Sequence, residues 1–311
     1  MRDSFVKSLI EIARIDSRVV VLTPDLGYSV LDDFQTKYPD RFINVGIAEA
    51  NAVSIASGLA LSGKIIYIYS IIPFITMRPF EQIRLDIAYM NTNVRLVGVG
   101  AGVTYGQAGP THHAIEDIAI MRSLPNMTVF CPGDPWEVEQ GILQSLDHKG
   151  PIYFRLGKRG EPRIARESLD FSFGKASKIR SGHHVSIITT SNTLDLAQLI
   201  SQDLLLSNIS VDLTNMHTIK PLDTGYLLTL IKRNIPIYII EEHSIIGGLS
   251  SAIAEFVLEL PSHPAIRRFA LKDEYIKSVG SQNYIREQQG MTRKNIVGQI
   301  LSDINKESAS L

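Results

Sequence analysis

Short runs of β-branched and aliphatic residues alternate with amphipathic helical patterns from one end of the chain to the other, and this alternation restricts the fold more than any other feature. Such a rhythm builds α/β units around a largely parallel sheet, because each strand needs a crossover helix before the next can lie beside it. The predicted strands are Arg18 to Leu22, Arg41 to Val45, Lys64 to Tyr69, Val94 to Val99, Met127 to Phe130 and Ile152 to Arg155. Between them, Phe80, Ile83, Ile87 and Met90 fall on one helical face. These units predict a doubly wound first domain over residues 1–165. From about residue 157 the pattern lapses into charge, Pro, Gly and Ser, which predicts a linker over 166–182. The rhythm then resumes as a second, smaller α/β domain over 183–311. Its predicted strands are Val185 to Thr189, Val211 to Leu213, Ile237 to Ile240 and Ile266 to Leu271, and its helices lie near Leu194 to Leu205, Gly225 to Lys232, Leu249 to Leu258 and Asn295 to Ile304.

Composition narrows the function classes. The 31 basic and 32 acidic residues nearly cancel and no run of five like charges occurs, so nothing draws the chain electrostatically to nucleic acid or anionic lipid. The single cysteine, Cys131, can form neither an internal disulfide nor the paired thiolates of a structural zinc site, which points to a reducing, cytoplasmic setting. The first residues mix charge with an apolar helical spacing, unlike a secretory signal. The longest apolar stretch, Ile65 to Ile75, is too short to span a bilayer, so neither export nor membrane embedding is expected.

Four segments could carry chemistry. In Asn44-Val-Gly-Ile-Ala-Glu-Ala-Asn51 a strand runs into Gly46 and a lone acid, Glu49, opens a helix on which Ala48, Ala52, Ala56 and Ala60 recur every fourth position. The bland account is a first-turn carboxylate favoured by the helix dipole. The sharper one is that the alanine ridge closes against a second chain, strips water from Glu49 and leaves it able to share a proton. The second segment, Gly100 to His113, is a loop with four glycines and adjacent His112 and His113, placed after a strand where α/β sheets bind ligands. The histidines could also simply cap or pack, and without a third ligand nearby they do not suggest a metal site.

The third segment brings Arg155, Lys158 and Arg159 to the end of a strand. They form either a solvated linker face or a grip on a substrate phosphate or carboxylate. The fourth, Tyr238 to Leu249, has Glu241-Glu-His243 in a polar turn followed by glycines and a helix, and reads best as structural turn plus subunit contact.

In this order the segments resemble the carboxyl-terminal half of transketolases, the thiamine-diphosphate enzymes that move a two-carbon ketol unit between sugars. Gly46-Ile-Ala-Glu49 is similar to the family's glutamate motif, Gly109-Pro-Thr-His112 to its active-site loop, and Ser123-Leu-Pro-Asn-Met-Thr-Val-Phe-Cys-Pro132 to a strand entry. Thr218-Ile-Lys-Pro-Leu-Asp223, Glu241-Glu-His243 and Gly247-Gly-Leu249 extend the likeness through the second domain. The resemblance implies a pyrimidine-binding domain over 1–165 and a transketolase C-terminal domain after the linker. It implies that Glu49 hydrogen-bonds N1′ of the cofactor's aminopyrimidine and that His112 faces the reacting carbon. Phe74 would stack on the pyrimidine, with Ile72 and Met77 as neighbouring apolar positions. His113, Arg155 and Lys158 complete the substrate-binding set, Lys158 aligning with a phosphate-binding arginine.

Full-length members also carry an amino-terminal domain whose Gly-Asp-Gly motif holds Mg²⁺ and the diphosphate. This sequence contains no such motif, Pro132-Gly-Asp-Pro135 being the nearest string. The resemblance therefore implies one subunit of a split transketolase, with thiamine diphosphate and Mg²⁺ as cofactors, an amino-terminal partner supplying the motif, and two copies of each chain. Two departures bear on the sugar: Ala108 stands where an acid normally precedes Gly-Pro-Thr-His, and Gly100 where a histidine is usual. Losing a hydroxyl-reading carboxylate suits a modified or deoxy sugar. Three other readings stay open at this point: a 1-deoxyxylulose-5-phosphate synthase type, a 2-oxo-acid dehydrogenase beta chain, and a non-catalytic interaction subunit.

Overall fold

The computed structural model describes residues 1–310, the last four by backbone alone; Leu311, the end of the predicted second domain, lies outside the described residues. Seven strands form the first sheet: β1 (Val19–Thr23), β2 (Phe42–Asn44), β3 (Ile65–Ile71), β4 (Val94–Val99), β5 (Thr128–Phe130), β6 (Ile152–Leu156) and, from much later in the chain, β10 (Thr218–Lys220). Their order is β10-β5-β6-β4-β3-β1-β2, all neighbours parallel except β10, which runs antiparallel to β5. The second sheet takes β7 (Ser177–Arg180), β8 (Val185–Thr189), β9 (Val211–Asn215), β11 (Ile237–Ser244) and β12 (Ile266–Leu271) in the order β12-β11-β8-β9-β7, with β7 antiparallel. Strands covered by helices on both faces are buried at every position, as in β1, β4, β6 and β8, and this explains why their sequences are mostly aliphatic or aromatic without polar alternation.

Three features differ from the sequence-based expectation. The stretch predicted as linker contains β7, and Arg166 within it is buried, so it is built into the fold at both ends. β10 leaves the second domain to pair with β5, continuing the first sheet with residues 218–220. The helical face predicted from Phe80 to Met90 breaks down because residues Ile83–Tyr89 form a π-helix: its wider turn rotates the later positions outward, leaving Ile83 and Ile87 buried but Tyr89 and Met90 exposed.

The alanine ridge is also corrected. Ala52, Ala56 and Ala60 are buried against the chain's own first sheet, alongside Val20, Ile66 and Ile68 of its core, and small side chains let the helix Glu49–Leu61 sit close to it. No second chain is needed to bury Glu49. Arg166 fastens the connecting stretch to the first unit. Its guanidinium reaches Asp134 at 2.5 Å and Glu137 at 3.0 Å and lies over the Trp136 ring, while Glu137 also accepts a hydrogen bond from Asn215 of β9 at 2.6 Å. Asp134, from the Pro132-Gly-Asp-Pro135 string, caps the helix Pro135–Gln144 by accepting from the Glu137 amide at 3.0 Å.

Candidate active site

The residues singled out in sequence gather at the carboxyl edge of the first sheet, where successive strands release their loops. Glu49 follows β2, Phe74 follows β3 and His112 follows β4. The turn out of β2 is made by Gly46 at φ +74°, a conformation that side chains disfavour, and Asn44 Oδ1 fastens it by accepting from the Gly46 amide at 3.0 Å. Glu49 then enters the first turn of its helix and is only 5% exposed. Its carboxylate turns aside from the helix end: Oε1 accepts a hydrogen bond from Arg78 Nη1 at 2.6 Å.

Arg78 was not among the residues expected from the sequence, and it ties the site together. Its guanidinium carbon lies 4.0 Å from the centroid of the Phe74 ring, a cation–π contact. Phe74 in turn meets His112 edge to face, with centroids 5.1 Å apart. Glu49, Arg78, Phe74 and His112 thus form one continuous chain of contacts from three different loops. Both Phe74 and Arg78 are supplied by the single short helix Ile72–Met77, opened by Pro73 and ended at Arg78 before Pro79. His112 Nδ1 is 2.9 Å from the Thr111 hydroxyl.

The other expected residues are divided. Ile72 is fully buried beside Gly98, supporting the Phe74 helix from behind, while Met77 is exposed next to Arg78. His113 is buried near Gly106 and Glu242, with neither ring nitrogen in a hydrogen bond, and its burial lowers its pKa. Arg155, expected to bind substrate, is instead placed in the seam between the domains and its donors are taken. Nε and Nη2 reach Asp117 at 2.8 and 3.3 Å, Nη1 reaches Ser191 at 3.1 Å, and Nη2 also reaches the carbonyls of Ala114 and Glu242 at 2.9 and 3.0 Å. It is a structural cation, completed by Tyr153, whose hydroxyl donates to Asp117 at 2.6 Å.

Lys158 is exposed and lines a cleft of about 350 Å³ with Thr104, Gln107, Ala108, Ser281 and Gln282. The last two come from the second domain and had no signal of their own in the sequence. Glu242 holds this wall in place. Fully buried, it accepts from the Val103 amide and Asn192 at 2.8 Å and from Gln282 at 2.9 Å, and pairs with Arg286. A side chain at Gly102 would strike that carboxylate, which accounts for one of the loop's glycines. Glu241 caps the helix Leu249–Val257, accepting from the amides of Leu249 and Ser250 at 2.7 and 2.9 Å. Glu241-Glu-His243, expected as a polar turn, is instead the buried end of β11, and Glu242 and His243 clamp the two domains by accepting from the Val103 and Ala119 amides. Among the described residues no cluster of three or more His, Cys, Asp or Glu is arranged to hold a metal ion, and no helix is long and apolar enough to cross a membrane.

Comparison with known proteins identifies both domains. The family model "Transketolase, pyrimidine binding domain" matches residues 1–162 and "Transketolase, C-terminal domain" matches residues 174–296. The chain is 38% identical over 298 residues to a 6-deoxy-6-sulfo-D-fructose transketolase subunit of a Clostridium species, covering 96% of this chain and 92% of that protein. It is 33% identical over 284 residues to an apulose-4-phosphate transketolase subunit of Actinobacillus succinogenes, covering 91% of each. Among solved structures, a split gene transketolase described as an inactive beta4 tetramer superposes with a TM-score of 0.89 at 32% identity, covering 98% of both chains. With both domain models matched in order and separately encoded subunits matched over nearly their whole length, the chain belongs to the transketolase family.

Proposed function

We propose that this chain is the β-type subunit of a two-chain transketolase and transfers a two-carbon ketol unit from a ketose to an aldehyde acceptor. The observation that carries the reading is the convergence of Glu49, Phe74 and His112 from three loops on one edge of the sheet. The thiamine-diphosphate family supplies the cofactor, and the site fits its aminopyrimidine. A buried carboxylate stands beside an aromatic face, and the pair already accommodates a planar, N–H-donating cation in Arg78. When bound, the cofactor provides the carbon that carries the ketol unit between sugars.

The chain's own residues have separable tasks. Glu49, 5% exposed at the first turn of its helix, would hold the aminopyrimidine by a hydrogen bond at ring nitrogen N1′. Phe74 orients the ring by stacking, its own position fixed by the edge contact with His112. His112, half-buried and backed by the Thr111 hydroxyl, hydrogen-bonds the oxygens at the reacting carbon. Mg²⁺ and the diphosphate are assigned to an amino-terminal partner subunit carrying Gly-Asp-Gly, with two copies of each chain in the assembly, in a cytoplasmic setting.

The sugar is one with a modified, anionic far end. Ala108 and Lys158 line the same cleft, so a position that would read a hydroxyl is apolar and a cation stands ready for a sulfonate or phosphate. The relatives' names, which carry a sulfo group and a phosphate, support that class. The test is to mix this chain with its partner, thiamine diphosphate and Mg²⁺ and to assay ketol transfer from ketoses bearing terminal sulfonate, phosphate or hydroxyl. Transfer with the pair and none with either chain alone is expected. No turnover on any ketose would leave the non-catalytic reading in its place.

A further inference from the structure

Arg78 engages both surfaces that an aminopyrimidine would need. Its Nη1 donates to Glu49 Oε1 at 2.6 Å, and its planar head lies 4.0 Å from the centroid of the Phe74 ring. A guanidinium in this position reproduces the ring's two demands: an N–H donor directed at the carboxylate and a flat π-system laid on the aromatic face. Phe74, edge-on to His112, and Glu49, 5% exposed in the first turn of its helix, are less free to move aside than an exposed side chain. The Arg78 side chain does have that freedom. It is 49% exposed, at the end of a six-residue helix, and a long side chain already half in water can swing out at modest cost.

Building on the thiamine-diphosphate reading above, we propose that Arg78 is a competitive stand-in for the cofactor's aminopyrimidine, occupying the buried Glu49 carboxylate and the Phe74 ring and yielding both when the ring enters. Its pairing favours the conformation in which Arg78 covers the site and so opposes cofactor entry. It also spares the chain a buried, unpartnered carboxylate before the partner subunit and the cofactor are in place. Cofactor affinity is then set partly by a residue with no contact to the ring in the loaded enzyme.

Calorimetric titration of thiamine diphosphate, in the presence of Mg²⁺, into the assembled two-chain enzyme tests the proposal through binding alone. Arg78→Met removes the charge and the planar donor and is expected to tighten cofactor binding about tenfold, the size of an ion pair plus a cation–π contact at a half-exposed site. Arg78→Lys, which keeps charge without the flat head, should fall between Arg78→Met and the parent. Glu49→Gln should weaken binding. If Arg78→Met leaves affinity unchanged or lowers it while Glu49→Gln still weakens it, Arg78 is a permanent third partner of the ring and the stand-in proposal is wrong, with the functional reading intact. If neither Glu49→Gln nor Arg78→Met alters cofactor affinity, the functional reading fails and takes this proposal with it.

Discussion

Arg155 Nε lies 2.8 Å from Asp117 Oδ2, both side chains fully buried where the loop after β4, the strand β6 and the second domain meet. The same guanidinium bonds Ser191 and the carbonyl of Glu242, so one cation seals the seam from both sides. Replacing it by Arg155→Met strands a buried carboxylate with Tyr153 and should cost about 3–5 kcal/mol of unfolding free energy. Combining it with Asp117→Leu should recover most of the loss, since the penalty comes from the unpaired charge. Urea melts of the single and double variants decide this. Equal losses in both would show that packing, and not charge pairing, holds the seam.

Glu49→Gln keeps the shape and burial of the side chain but cannot take part in proton exchange at N1′. Turnover by the two-chain enzyme should fall by about 10²–10⁴. Assembly should persist, because the helix carrying residue 49 is packed through Ala52, Ala56 and Ala60. Sedimentation and a ketol-transfer assay on the same sample separate the two effects. Undiminished turnover would remove Glu49 from the chemistry.

Lys158 stands in the cleft beside Ala108, on the substrate's proposed far side from the reacting carbon. Lys158→Met should therefore raise KM about tenfold for a ketose with a terminal sulfonate or phosphate and change kcat by no more than about twofold, the signature of uniform binding. A ketose ending in a hydroxyl should be indifferent to the change. A fall in kcat with KM intact would place Lys158 in the reacting step.

His217 is fully buried and stacked on Phe171, with ring centroids 4.6 Å apart, and burial together with the nearby Arg166 pushes its pKa down to about 3. The unfolded chain takes up this proton near pH 6.5 and the folded chain does not, so stability present above that pH drains away as the pH falls towards 3. By pH 5 the loss from this residue should be about 2 kcal/mol. His148, lowered to about 4 by burial and by Arg95, acts in the same direction. The pH dependence of Tm between 4 and 7 should flatten in His217→Gln. An unchanged slope would assign the acid lability elsewhere.

Much of this was legible in the sequence, and the limits have physical causes. The buried strands announced themselves through short aliphatic and aromatic runs without polar alternation, and Glu49, Phe74 and His112 stood at loop positions after strands where a ligand edge is expected. Arg78 gave no sign because the helix before it has only six residues, Pro73 among them, too few for a periodic pattern. Arg155 looked like a free cation at a strand end, yet a strand end facing a second domain is interior, and sequence spacing does not reveal what covers it. The alanine ridge showed that something packs closely against it without showing which sheet. Ser281 and Gln282 reach the cleft only through tertiary folding of the second domain, more than a hundred residues from Lys158 in the chain.

The three residues of β10 have a consequence for how such a chain can be divided. Because they form the outer rung of the first sheet against β5, a gene cut after the first unit would release a protein with bare amides along that rim, open to pairing with other copies of itself. The two units are therefore interlocked by loan of backbone, and recombination would be expected to move them between enzymes together.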